Sequence, residues 1–184
     1  MALMPGAPRS ADFSDPLGML HDCHRRVERF LGAQVKVAAC PPERALDDLH
    51  ADGARRANHY FRTNAPWHTE DEEHSLFPRL RASSHPRAAE AVALADALQA
   101  DHVEMKPLHD VVEAALEDWL ADGRLHIDRH ARLQAVLAQM SRMYAVHIAR
   151  EDGELLPLAA LVLDAESLHE MGREMRQRRG LKVD

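Results

Sequence analysis

The sequence predicts an all-α protein, an antiparallel up-down-up-down four-helix bundle with a short C-terminal fifth helix. Three observations predict it. Apolar residues recur at three- and four-residue steps through four long stretches. Alanine, leucine and charged helix formers abound while aromatics are only 4%, so the core is aliphatic and helical. No hairpin dipeptide lies between alternating apolar residues, so strand signals are absent. With 184 residues, 46% of them hydrophobic, the chain fits one domain with a sizeable core.

The elements follow in order. Residues 1–14, with Pro5, Gly6 and Pro8, are expected to form a flexible tail before a domain over 15–184. Asp15-Pro16 starts the first helix, because Asp caps free N–H groups and Pro fits the first turn. Leu17, Leu20, His24, Val27 and Leu31 form its inner stripe, and it fades near Ala38 before Pro41-Pro42. A second stretch carries Leu46, Leu49, Ala54, Ala57 and Phe61 and is interrupted at Asn64-Ala65-Pro66. It resumes through His68, Glu72, Leu76 and Leu80, as one kinked helix or two stacked pieces, up to a linker at Ser83–Pro86.

The third helix runs from Pro86 to about Leu120 through Leu98, His102, Met105, Val112 and Trp119, with a kink expected at Pro107 and an end at Asp122-Gly123. The fourth spans about Ile127 to Asp152 through Leu133, Met140, Tyr144, His147 and Glu151. Beyond Pro157, Asp164 caps a last helix carrying Met171 and Met175, which ends at Gly180. Its apolar side is expected to cap the bundle end.

Charge and cysteine usage narrow the function classes. The chain has 23 basic and 30 acidic side chains, net −7, the wrong sign for a protein held by nucleic-acid phosphates. No apolar run approaches the length that spans a bilayer, so no membrane role is expected. Cys23 and Cys40 make neither a disulfide framework nor a CxxC pair, and no secretory signal opens the chain. The expected location is the cytoplasm.

The chemistry lies in a repeat. His68-Thr-Glu-Asp-Glu72-Glu73-His-Ser-Leu76-Phe77-Pro78 and His147-Ile-Ala-Arg-Glu151-Asp152-Gly-Glu-Leu155-Leu156-Pro157 both read H-x-x-x-E-[ED]-x-x-L-[FL]-P, 79 residues apart. Residues four apart share a helix face, so each imidazole and carboxylate point the same way, onto the apolar stripe. A carboxylate there is costly unless paired or bound to a cation. His24 precedes His68 by 44 residues and His102 precedes His147 by 45. Every long helix thus offers one inward histidine, and two add a glutamate. Four histidines and two glutamates suit two borderline metal ions bridged by carboxylates. His21 is the alternative to His24, which better continues the apolar stripe.

This pattern resembles the hemerythrin-like family, the HHE cation-binding domain, from Asp15 to Gly180. The resemblance implies a non-haem di-iron centre in a four-helix bundle, two oxo- or hydroxo-bridged irons. His24, His68, His102 and His147 match the histidine ligands, and Glu72 and Glu151 the bridging carboxylates. Manganese and zinc accept the same ligands. Dioxygen, nitric oxide or a small anion is the implied exogenous ligand. Oxygen-carrying members have a further histidine one turn after the third-helix histidine; here that position is Lys106. The missing ligand leaves more open coordination positions, which favour ligand exchange or chemistry over reversible dioxygen carriage. Two other readings stand beside this one: a redox protein of iron delivery, iron–sulfur repair or peroxide and nitric oxide handling, and a helical interaction module with no functional metal.

The remaining titratable residues carry weaker expectations. Glu73 and Asp152 point about 100° from the ligand direction, as surface acids or groups behind the ligands. His74, His85, His126, His130 and His169 are expected at the surface, Lys106 is expected in solvent, and His109 is expected in the core.

Overall fold

A computed structural model describes residues 11–182, and among these every regular element is helical. Helix α1 spans Pro16–Ala38, α2 Asp48–Thr63 and α3 Ala65–Asp71. A five-residue π-turn at Glu72–Leu76 leads into α4, Phe77–Ala82. Helix α5 spans Ala88–Asp122 and α6 Ile127–Arg150. A second π-turn, Glu151–Leu155, leads into α7, Leu156–Val162, and α8 spans Ala165–Arg178. No helix among the described residues is long and apolar enough to cross a membrane.

The caps agree with the sequence chemistry. Asp15 accepts from the Gly18 N–H at 3.0 Å, Asp47 from His50 and Asp164 from Ser167. Gly123, at φ 67°, ends α5 in the left-handed conformation that glycine adopts without a Cβ clash. Helix α5 stays helical through Pro107. The break at Pro66 separates α2 from α3, as two stacked pieces.

The fourth helical stretch does not stop at Asp152. It passes through Pro157 to Val162, because the π-turn absorbs the proline. Proline lacks an N–H and its ring collides with the carbonyl four residues back. The wider turn pairs the preceding residue, Leu156, with Glu151 O, and in the first copy Phe77 with Glu72 O. The extra residue per turn lets adjacent side chains share the inner face. Leu76 with Phe77 and Leu155 with Leu156 are all buried.

Two aliphatic clusters sit at either end of the bundle. One joins Leu20, Phe77, Leu98, Leu155 and Met171; the other joins Leu31, Val112, Trp119, Leu133 and Met140. Three expectations need correction. Leu49 is 78% exposed, since α2 begins beyond the level where α1 stops. His130 is buried, edge-on to Trp119, with its Nε2 2.9 Å from Ala38 O, because the end of α1 packs over it. The expected tail lies outside the described residues over 1–10. Residues 11–14, by contrast, form a turn, with Phe13 against the core and its carbonyl so close to Gly172 that no side chain fits there.

Helix α8 closes one end with Met171 and Met175, both fully buried. It is pinned by charge as well. Arg178 and Arg179 donate to the buried carboxylate of Asp71, while Arg79 and Ser75 donate to Glu174. Replacing both Arg178 and Arg179 by alanine strands that carboxylate, which should cost about 3–5 kcal/mol in urea unfolding. An unchanged midpoint would show that Asp71 finds other partners.

Candidate metal centre

The six residues of the repeat come together where α1, α3, α5 and α6 meet. Helix α1 supplies His24, α3 supplies His68, α5 supplies His102 and α6 supplies His147. Each π-turn opens on a glutamate, Glu72 or Glu151. Ligand atoms of His24, His68, Glu72 and Glu151 all lie within 4.8 Å of one another. His102 and His147 adjoin this group, their ring centroids 5.0 Å apart. His21 is exposed and stands outside this group, its Nε2 3.7 Å from Asp152.

The contacts obey the duplication. Glu72 faces His68 Nε2 at 3.4 Å and His102 Nε2 at 3.3 Å. Glu151 faces His24 Nε2 at 3.0 Å and His147 Nε2 at 3.6 Å. Each carboxylate therefore spans the pair His24/His68 and the pair His102/His147. All four imidazoles turn Nε2 inward and Nδ1 outward.

Behind the imidazoles stand acids. His24 Nδ1 is 2.6 Å from Asp152, His102 Nδ1 is 2.9 Å from Glu73, and His147 Nδ1 is 3.2 Å from Asp101. A carboxylate at Nδ1 keeps the proton there and leaves Nε2 as a lone pair for a cation. Glu73 and Asp152 thus stand behind ligand positions, as their direction on the helix allowed. Asp101 escaped sequence reasoning, although it precedes His102 in the chain. Lys106 points into solvent, 3.8 Å from Asp110.

Without a cation this arrangement is poorly satisfied. Both oxygens of Glu72, Oε1 of Glu151 and Nδ1 of His68 are buried without a hydrogen-bond partner among the described residues. Native interiors leave few such groups, and each costs about 1–3 kcal/mol or more if charged. Burial, reinforced by the charge of Glu151, raises the Glu72 carboxyl well above its ordinary value. Burial also pushes Glu151 up, but contacts with Glu72 and His24 outweigh it and hold Glu151 low. The two neighbouring carboxyls are thus driven apart, Glu72 toward the neutral form and Glu151 toward the charged one. Burial pushes the His68 imidazole down to about 3, against the pull of Glu151. His24 moves the other way, because contact with Glu151 and Asp152 overcomes burial. Neutral imidazoles and bridging carboxylates are the donors that a pair of borderline divalent cations accepts, so the residues fit the group.

A cavity of about 550 Å3 opens onto the four histidines. Tyr144 and His109 line it, with Tyr144 Oη 2.8 Å from His109 Nε2. Burial pushes the His109 imidazole down to about 4 from its ordinary 6.5. The folded value lies below the unfolded one, so the unfolded chain takes up the proton first as pH falls. The stability that His109 contributes is therefore lost between pH 6.5 and about 4, at up to about 1.4 kcal/mol per pH unit. In metal-free protein, His109→Phe should flatten the fall in unfolding free energy between about pH 6.5 and 4. Parallel slopes would contradict this.

Comparison with known proteins gives two findings. A family model, the hemerythrin HHE cation binding domain, matches residues 15–159. A protein of Haemophilus influenzae, described as an uncharacterized protein, is 27% identical over 172 residues, covering 94% of each chain.

Proposed function

The chain belongs to the hemerythrin HHE cation binding domain family, and on that premise we propose that it is a non-haem di-iron protein binding dioxygen, nitric oxide or a small anion. The observation that carries this is the set of buried, unpartnered carboxylate oxygens among four inward Nε2 atoms. A helical interaction module without metal would leave those atoms unmatched. His24 and His68 would hold one iron, His102 and His147 the other, and Glu72 and Glu151 would bridge both. The fold is read as an antiparallel up-down-up-down bundle. Its support is the register: His24 meets His68, and Gln34, ten residues later, meets Asn58, ten residues earlier.

Held by these residues, two irons with open positions would supply small-ligand binding and electron exchange. The chain's own residues do the rest. Asp152, Glu73 and Asp101 fix the Nδ1 tautomer of three histidines. The aliphatic clusters on either side exclude bulk water, and the cavity admits the exogenous ligand beside Tyr144. Lys106, exposed at the rim of the cavity, occupies the position one turn beyond His102, so no fifth histidine stands there. That absence supports ligand exchange over reversible carriage.

Glu151→Ala should halve or abolish the iron bound after anaerobic loading, and undiminished iron would remove Glu151 from the ligand set. Stopped-flow spectra of the iron(II) protein mixed with dioxygen test the reaction class. A stable charge-transfer band means binding and rapid irreversible oxidation means redox chemistry. No spectral change with dioxygen or nitric oxide would contradict the proposal.

A further inference from the structure

The duplication is nearly exact in chemistry, and one position breaks it. Residues 78 or 79 apart correspond: His24 with His102, His68 with His147, Glu72 with Glu151, Glu73 with Asp152. The contacts cross between halves in the same way. His24 in the first half leans on Asp152 of the second, and His102 in the second leans on Glu73 of the first. The remaining acid–histidine pair lies within the second half: His147 with Asp101, the residue immediately before His102. Its counterpart is His68 with the residue immediately before His24, and that residue is Cys23.

Cys23 does not do what Asp101 does. His68 Nδ1 is buried and has no hydrogen-bond partner among the described residues. The thiol is buried too, and takes a hydrogen bond from Arg26 at 3.1 Å instead. Of the four imidazoles, His68 alone lacks an acid behind it. Nothing fixes its proton on Nδ1, and nothing strengthens Nε2 as a donor. Loss of such a carboxylate behind a ligating histidine weakens metal binding by about 10–100-fold.

We propose that the two metal positions are unequal: the one at His102 and His147 is tight and fills first, and the one at His24 and His68 is weaker and exchangeable. Cys23, standing where the other half has Asp101, is the residue that sets the difference. The inference rests on the reading of these six residues as a two-metal site. It deepens that reading by making one metal position permanent and the other labile.

Anaerobic calorimetric titration of the full chain with iron(II), with metal content measured on the same samples, tests this. Two steps separated by about 10–100-fold are expected. The shared carboxylates couple the steps, so two variants decide the cause. Asp101→Ala should weaken the tighter step about tenfold or more and bring the two together. Cys23→Asp, which supplies the missing acid, should tighten the weaker step and leave the other in place. Asp101 is partly exposed, so its variant keeps the test decisive even if Cys23→Asp melts early. Two equal steps in the unaltered protein, or an Asp101→Ala variant that weakens only the second step, would overturn the inference while leaving a two-metal site standing. Less than one metal per chain would instead overturn the two-metal reading itself.

Discussion

Two carboxylates inside an aliphatic bundle are the constraint on which the rest of this structure depends. Moving an ionised carboxylate out of water costs several kcal/mol even after relaxation. Glu72 and Glu151 are both essentially inaccessible to solvent. The protein alone meets that cost in part, by favouring the neutral form of Glu72 and by setting His24 against Glu151. The remaining oxygens have no partner among the described residues. A pair of divalent cations would answer both carboxylates and all four inward Nε2 lone pairs together, leaving His68 Nδ1 as the one ligand-side atom still unmatched among the described residues.

The backbone is shaped to the same end. Each glutamate opens a π-turn, and each π-turn ends two residues before a proline. The proline makes an ordinary turn unfavourable, and the widened turn puts an inward carboxylate directly above two consecutive buried apolar residues. Metal chemistry and core packing are thus joined within one turn of helix. The neighbouring Asp71 carries the joint outward, to Arg178 and Arg179 on α8. The C-terminal helix is therefore more than an apolar cap, since it pairs the buried acid next to Glu72.

Much of this was legible in the sequence. The helix starts at Asp15 and Asp164, the stop at Gly123 and all six inward side chains follow from caps, periodicity and the repeat. What escaped has physical reasons. The passage through Pro157 was hidden because proline ordinarily ends a helix, although the trailing L-[FL]-P in both copies was the available signal. His130 was placed outside because nothing local shows that the end of α1 covers it. Asp101 was missed because its partner, His147, lies on another helix. Only the comparison of the two halves, residue by residue, reveals that Asp101 and Cys23 occupy one role with different chemistry.

The central claim is that this set of side chains is completed by metal. It is tested most directly by the metal content of the full chain after anaerobic iron loading and removal of unbound ions. The account predicts two irons per chain, lost when the bridging glutamates are removed. A folded protein that retains less than one metal per chain, whether iron, manganese or zinc is offered, would contradict it.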